Sequence, residues 1–131
     1  MNRTILITAS VLGIIAIALG AFGAHGLKEL ISVEAQQTFE TGVRYQMYHA
    51  LMLLFVGGTT FLTEKSKKTI YLLVLVGVVL FSGSIYGLST RDITEINFKS
   101  IGFVTPIGGM LLIIAWVIMM INFLKVTRDN S

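Results

Sequence analysis

The chain contains no cysteine and few charged residues, and both absences exclude functions. Without cysteine there is no disulfide framework, no thiolate nucleophile and no cysteine-based metal site. Only 13% of the 131 residues are charged, against about 25% in an ordinary soluble domain. The net charge of +3 comes from basic residues that lie between apolar stretches, which is typical of membrane topology signals. We therefore predict a membrane protein with no nucleic-acid partner.

The sequence also lacks the motifs of standard catalytic chemistry. It has no HExxH, GxSxG or P-loop pattern, so the residues that common hydrolases and nucleotide-binding enzymes require are missing. Its two histidines, His25 and His49, are fewer than the three or four protein ligands of a zinc site. No acidic residue lies inside an apolar stretch, which disfavours a proton- or sodium-coupled carrier. We predict that the protein is not an enzyme and has no metal centre; the sequence indicates no particular cofactor.

Most of the chain consists of four apolar blocks without Asp, Glu, Lys or Arg. They cover residues 5–24, 45–62, 70–88 and 101–124. About 20 helical residues cross a hydrocarbon core of about 30 Å. The blocks are apolar on all sides, whereas barrel strands alternate apolar and polar residues. The sequence therefore predicts an all-α integral membrane bundle of four transmembrane helices, formed by residues 1–131 as a single domain.

The first block has a second interpretation, as a secretory signal peptide. Asn2 and Arg3 form a short polar start, and residues 21–24 include small side chains that a signal peptidase accepts. However, an apolar run of about 20 residues exceeds the usual core of about 7–15 residues in such peptides. This length favours a retained membrane helix.

Basic residues indicate the orientation of the four predicted spans. Both termini fall on one side of the membrane, and that side carries six basic residues: Arg3, Lys65, Lys67, Lys68, Lys125 and Arg128. The opposite side carries four: Lys28, Arg44, Arg91 and Lys99. Since cytoplasmic loops are enriched in Lys and Arg, we predict a multi-pass protein with both termini in the cytoplasm.

The first loop is predicted to contain a short helix of its own. Gly26 is placed to end the first helix, because glycine accepts the left-handed conformation found just past a helix end. Ser32 is a suitable cap for a helix over residues 33–44. Glu40 and Arg44 stand four apart in the favourable order for an ion pair. Apolar residues recur every four positions, at Ala35, Phe39 and Val43. We predict an amphipathic helix at the outer surface that runs into the second span.

Small residues and one proline mark the predicted helix contacts. In lipid, small residues let helix backbones approach closely, so they serve either packing within the bundle or self-association. The candidates are Gly20, Gly23, Gly83, Gly87 and Gly109. Pro106 removes a backbone donor, which predicts a kink or a partly unwound stretch near the outer end of the fourth helix, with or without a cavity beside it.

Polar and aromatic side chains collect near the predicted outer interface. The candidate binding residues are His25, Arg44, Tyr45, Tyr48, His49 and Tyr86. Histidine within membrane segments is uncommon and indicates function by default. A site for a quinone, a lipid headgroup, a metal or a haem is one interpretation. The other is structural, with interfacial aromatic residues and histidines bonded to carbonyls across helices.

Four segments resemble a known family of small membrane proteins. They are GAFGAHGL at 20–27, FETGVRYQMYHAL at 39–51, FSGSIYGL at 81–88 and TPIGG at 105–109. Together they are similar to the bacterial family called domain of unknown function 423, whose eukaryotic relative is transmembrane protein 256. Ala115 stands before Trp116 where other members often have glycine. The resemblance implies a four-helix protein of the bacterial cytoplasmic membrane, and it implies no activity.

Two hypotheses about function follow. The first is a non-enzymatic membrane protein that is surrounded by lipid and acts as a homo-oligomer or as an accessory subunit of a larger complex. The second is a protein that binds a small molecule, a lipid or a quinone near the outer interface. A third, an oligomeric channel, needs a polar lining that four uncharged spans scarcely provide.

Overall fold

The computed structural model describes residues 1–91 and 101–126, and its regular elements there are all helical. Four long helices are α1 (Asn2–Ala24), α2 (Val33–Gly58), α3 (Glu64–Ser89) and α4 (Val104–Leu124). Short 3₁₀ helices lie at Leu27–Glu29 and Ile101–Phe103. The all-α prediction is confirmed. Lys99 and Arg128, which entered the charge comparison, lie outside the described residues.

Side-chain caps fix where α2 and α3 begin. The Ser32 hydroxyl oxygen accepts a hydrogen bond from the backbone N–H of Ala35 at 3.1 Å, which confirms the predicted cap. The Thr63 hydroxyl oxygen accepts one from the N–H of Ser66, also at 3.1 Å. Each cap satisfies one of the orphan donors in the first turn of a helix, so both starts are set by local sequence.

The end of α1 differs from the prediction. Gly26 has φ −63° and ψ −45°, a right-handed conformation that any residue adopts, and it leads into the first 3₁₀ helix. The helix ends at Ala24, and the residue that caps it is His25, whose φ of −120° and ψ of −80° leave the helical region. The predicted left-handed Gly26 is therefore wrong, because the chain turns through a 3₁₀ segment rather than a left-handed cap.

The predicted outer helix and second block form one continuous helix, α2. The segment 33–44 runs into 45–58 without a break, and α2 ends at Gly58, four residues before the predicted end at 62. The Glu40–Arg44 ion pair is present at 3.5 Å. Its side chains are 42% and 58% exposed, so solvent or headgroups screen it and it adds little stability.

Three of the long helices, α1, α3 and α4, are long and apolar enough to cross a membrane, among the residues that the structure describes. They correspond to the predicted blocks 5–24, 70–88 and 101–124. The helix α2 does not belong to this set, because polar residues such as Glu34 and Gln46 lower its mean hydropathy. Four transmembrane helices are thus not established by length and composition.

Pro106 lies at the start of α4, and the kink that it suggests stays a prediction. The helix α4 begins at Val104, so Pro106 occupies its first turn. The backbone N–H groups of the first turn have no partner within a helix, and the fixed φ of proline suits this position. The residues just before α4, which the sequence assigned to the fourth span, form a 3₁₀ helix at Ile101–Phe103.

The helices pack mainly against their neighbours in the chain: α1 on α2, α2 on α3, and α3 on α4. Buried apolar side chains from all four form one core, which includes Ile5, Leu53, Val74 and Ala115. The outward surface is also apolar, with Ile14 68% exposed and Ile113 58% exposed. A surface of this kind suits contact with lipid hydrocarbon rather than water.

Glycine lets α3 and α4 approach at backbone distance. A Cβ at Gly108 would lie 2.5 Å from the Phe81 nitrogen and 2.9 Å from the Gly77 carbonyl oxygen. Of the predicted packing glycines, a Cβ at Gly23 would lie 2.9 Å from the Phe39 ring, and one at Gly20 would lie 3.4 Å from Val43. The other three are less closely packed. A Cβ at Gly109 would lie 3.6 Å from Phe81, one at Gly83 would meet nothing within 4 Å, and Gly87 is half-buried.

Candidate functional site

The structure does not bring the two histidines together. His25 caps α1 and is exposed. The end of α1 lies beside Gln36, whose side-chain N–H donates to the Gly23 carbonyl at 3.1 Å. His49 comes thirteen residues after Gln36 along α2, which places it about 20 Å deeper at 1.5 Å per residue. The two histidines therefore lie at different levels of the bundle, because α2 runs straight on from Gln36 to His49.

His49 is held by hydrogen bonds at both ring nitrogens. Its Nδ1–H donates to the Tyr45 carbonyl at 2.7 Å, and its Nε2 accepts from the indole N–H of Trp116 at 3.1 Å. This pairing defines a neutral ring, since Nε2 acts as an acceptor. The side chain is buried, and the two rings meet edge to face at 6.0 Å. A metal ion or a ligand at Nε2 would have to displace Trp116.

Tyr86 takes part in a hydrogen-bonded chain across three helices. Its hydroxyl donates to the Gln46 side-chain oxygen at 2.6 Å, and the Gln46 amide N–H donates to the Leu12 carbonyl at 2.8 Å. Gln46 is 3% exposed, and each end of its amide has a partner. Sequence reasoning missed Gln46, although an amide within an apolar block, directly after Tyr45, was a signal worth noting.

Two serines extend this polar bonding along α3. The Ser82 hydroxyl donates to the Gly42 carbonyl at 2.7 Å, which ties α3 to α2. Ser84 bonds the hydroxyl of Thr105 and so ties α3 to α4. Gly42 allows the approach, because a Cβ there would lie 2.8 Å from the Tyr86 ring. Within the described residues, no buried side-chain nitrogen or oxygen is left without a partner.

The remaining predicted site residues face outward. Arg44 is paired with Glu40 on the surface of α2. Tyr48 is 52% exposed, and its ring lies 5.6 Å from the Tyr45 ring. Of the six predicted binding residues, Tyr45 and His49 line a common cavity.

That cavity is an apolar groove of about 350 Å³ that opens on the side of the bundle, and we call it the lateral groove. The helices α2 and α4 form its sides, and α3 contributes one residue. Its lining residues are Tyr45, His49, Phe81, Gly109, Leu112, Ile113 and Trp116. Sequence reasoning missed Phe81 and Trp116 as partners of Tyr45 and His49, because contacts between helices leave no periodic signal in segments that are apolar all round.

The opposite end of the bundle has its own polar contacts. Lys67 is 3% exposed, and its ammonium donates to the Asn2 side-chain oxygen at 3.1 Å. The hydroxyls of Thr8 and Tyr71 bond each other at 3.0 Å. Both contacts join α1 to α3. Across the described parts of the chain, no three His, Asp or Glu side chains gather in a way that suits a metal ion.

Comparison with known proteins places this architecture in a family. The profile described as "Protein of unknown function (DUF423)" matches residues 19–109. UPF0382 membrane protein YwdK of Bacillus subtilis is 40% identical, over 94% of this chain and 98% of its own. UPF0382 inner membrane protein YgdD of Escherichia coli is 32% identical, over 98% of this chain and 95% of its own. No solved structure matches the chain significantly. The resemblance found in the sequence is confirmed, and the chain belongs to the DUF423 family of UPF0382 membrane proteins, a family of unknown function.

Proposed function

We propose that the protein crosses the membrane four times and acts without catalysis, by associating with further copies of itself or with a larger membrane complex. One observation carries the proposal. The polar side chains at membrane depth, among them Gln46, His49, Ser82 and Tyr86, are bonded to other groups of the same chain. What the described residues offer laterally is therefore mainly apolar surface, which suits contact with lipid or with another membrane protein.

The packing of α2 supports a fourth crossing. Near its start, Phe39 lies against Gly23 at the end of α1, and near its other end Gly57 lies against Ile5 and Leu6. The helix thus runs beside α1 over nearly the whole length of α1. If α1 crosses the membrane, then α2 crosses it too in the opposite direction. Its polar residues are tolerable at depth because Gln46 and His49 are bonded within the bundle.

The outward face of α3 is the contact surface that we propose. Gly83 lies there with nothing within 4 Å, next to Val79, which is 60% exposed. In a helix interior glycine is less favourable than alanine by about 1 kcal/mol, and this one gains no packing inside the chain. A close approach by a second helix would supply that packing, as small residues do in membrane helix pairs.

Energy transfer between labelled chains in lipid vesicles tests the proposal. Because the chain has no cysteine, an introduced Glu29→Cys carries the donor or the acceptor dye without background labelling. We expect transfer above the random level for the parent chain. Gly83→Leu should weaken association about tenfold or more, a loss of about 1.4 kcal/mol, since a bulky side chain separates the backbones. Gly83→Ala is the matched control and should keep most of the transfer.

Unchanged transfer in Gly83→Leu would contradict the α3 surface. A parent chain that shows only random transfer, and that purifies with no other membrane protein, would contradict the proposed function itself. The ligand alternative with all six predicted residues is not proposed, because His25 and His49 lie at different depths and Tyr86 is bonded to Gln46.

A further inference from the structure

We propose that the lateral groove holds one acyl chain of a membrane phospholipid. The groove lies between α2 and α4, with Phe81 of α3 as its only residue from a third helix. This inference goes beyond the proposed association and does not depend on it.

The depth of the groove determines what surrounds it. Along α4 it extends from Gly109 to Trp116, so it starts five residues after the helix begins and stops eight residues before it ends. At about 1.5 Å per residue it occupies about 10 Å in the middle of the helix. A mid-helix groove in a membrane span opens onto hydrocarbon, and an acyl chain is the hydrocarbon present there.

The chemistry of the walls fits an apolar occupant. Phe81, Leu112 and Ile113 contribute only carbon atoms at their side chains. The polar atoms of His49 and Trp116 are bonded to each other and to the Tyr45 carbonyl, so these nitrogens need no hydrogen bond from a ligand. The remaining polar side-chain atom of the lining is the Tyr45 hydroxyl, so an occupant that brought several polar groups to this depth would find few partners.

The groove stays open because Gly109 contributes no side chain and the other walls are held in place by contacts of their own. Gly109 leaves open space between α4 and α2, and a Cβ there would make only ordinary contact with Phe81 at 3.6 Å. Tyr45 packs on Phe81 at 5.0 Å between ring centres, and the Trp116 bond to His49 fixes the inner end. The volume of about 350 Å³ lies within the range of about 300–1,000 Å³ that is common for small-molecule sites.

A cation one residue before Tyr45 in the chain favours a phospholipid over an uncharged lipid. Arg44 immediately precedes Tyr45, and its side chain reaches outward to Glu40, one turn nearer the outer end of α2. It is 58% exposed, so solvent and headgroups screen its ion pair with Glu40 and leave that pair weak. A lipid phosphate at the interface can therefore share the guanidinium while the acyl chain of the same molecule reaches inward to the groove.

Trp116 provides the test, because it is the only tryptophan in the chain. The full-length protein in detergent micelles is titrated with a phospholipid brominated in the middle of its acyl chains, since bromine quenches indole fluorescence on contact. We expect quenching that saturates at one lipid per chain. Gly109→Leu, which fills the groove, should abolish the saturable part, whereas Gly109→Ala should keep it. Gly83→Leu adds the same bulk outside the groove and should also keep it.

Two further variants keep the test decisive. Ile113→Phe fills the groove from its open side without entering the core, so it should also abolish saturable quenching if Gly109→Leu does not fold. Arg44→Gln should weaken phospholipid binding several-fold and leave binding of a brominated fatty alcohol unchanged. Quenching of the parent chain that rises in proportion to lipid without saturation would overturn the proposal. So would saturable quenching in Gly109→Leu and Ile113→Phe that equals that of the parent chain. So would native mass spectrometry that finds an isoprenoid rather than a phospholipid retained on the chain. Energy transfer between Gly109→Leu chains is measured as well, because transfer at the parent level shows that association persists when lipid binding is lost.

Discussion

At the scale of the residue, Gln46 shows how one polar side chain joins three helices. Its amide oxygen accepts from Tyr86 on α3, and its amide N–H donates to Leu12 on α1. A hydrogen bond between membrane helices is worth about 0.6 kcal/mol on average and up to about 1.7 kcal/mol. Two such bonds on a side chain that is 3% exposed therefore make Gln46 a stabilising residue rather than a ligand-binding one.

Replacing Gln46 should lower the free energy of unfolding. We expect Gln46→Ala to cost about 1–3 kcal/mol, because it removes both bonds and leaves a gap. Tyr86→Phe removes only the first bond and should cost about 1 kcal/mol or less. Gln37→Ala is the matched control, since Gln37 is exposed on the same helix and should change nothing. Unfolding by SDS in mixed micelles, followed by circular dichroism, measures all three. Equal effects of Gln46→Ala and Gln37→Ala would contradict the bonding described here.

At the scale of the element, the α3–α4 pair depends on two glycines that face each other. A Cβ at Gly108 would meet backbone atoms of Phe81 and Gly77, which cannot turn aside as a side chain can. The two helices are thus in backbone contact at one level, and Ser84 bonds Thr105 one turn farther out. Between membrane helices the hydrophobic effect gives no driving force for association, and van der Waals packing at close approach takes its place.

Adding a single methyl group tests this contact. Gly108→Ala should separate α3 from α4 and cost about 1–3 kcal/mol of unfolding free energy, as overpacking generally does. Gly13→Ala makes the same change in α1 where nothing lies within 4 Å, so it should be neutral or stabilising by up to about 1 kcal/mol. The same SDS titration compares them. A neutral Gly108→Ala would show that α3 and α4 are not packed so closely.

At the scale of the whole molecule, the arrangement of helices predicts which loops share a side of the membrane. Glu29 and Glu64 are both exposed, and they flank α2 on either side. If α2 crosses the membrane, then the two positions lie on opposite sides. From the excess of basic residues near Lys65 and Lys68 we predict that Glu64 lies on the cytoplasmic side.

Labelling in intact cells measures this arrangement. The single variants Glu29→Cys and Glu64→Cys leave every Lys and Arg in place, so the charge signal for orientation is unchanged. A membrane-impermeant maleimide should label Glu29→Cys directly and Glu64→Cys only after the membrane is permeabilised. Labelling of both positions from outside would contradict a crossing by α2. The reverse pattern would contradict only the orientation.

The parts of the fold that depend on local sequence could be predicted. The apolar blocks identified α1, α3 and α4, because a run of about 20 uncharged residues is itself the requirement for crossing hydrocarbon. The Ser32 cap and the Glu40–Arg44 pair were also correct, since both involve residues three or four apart in one helix. Local geometry alone fixes such contacts.

Tertiary structure decided the rest. The alignment of separate helices decides the depth of His49 and its bond to Trp116. It also decides the role of Gln46 and makes Gly108, rather than Gly83, a close contact. In a helix that is apolar on every side, periodicity does not distinguish the face that meets a neighbour from the face that meets lipid. The sequence by itself determined that these helices form and where most of them lie in the chain. Packing between the helices determined which polar groups bond each other and where a groove stays open. Many registers between such helices are equally apolar, and close backbone approach and hydrogen bonds across helices select one of them.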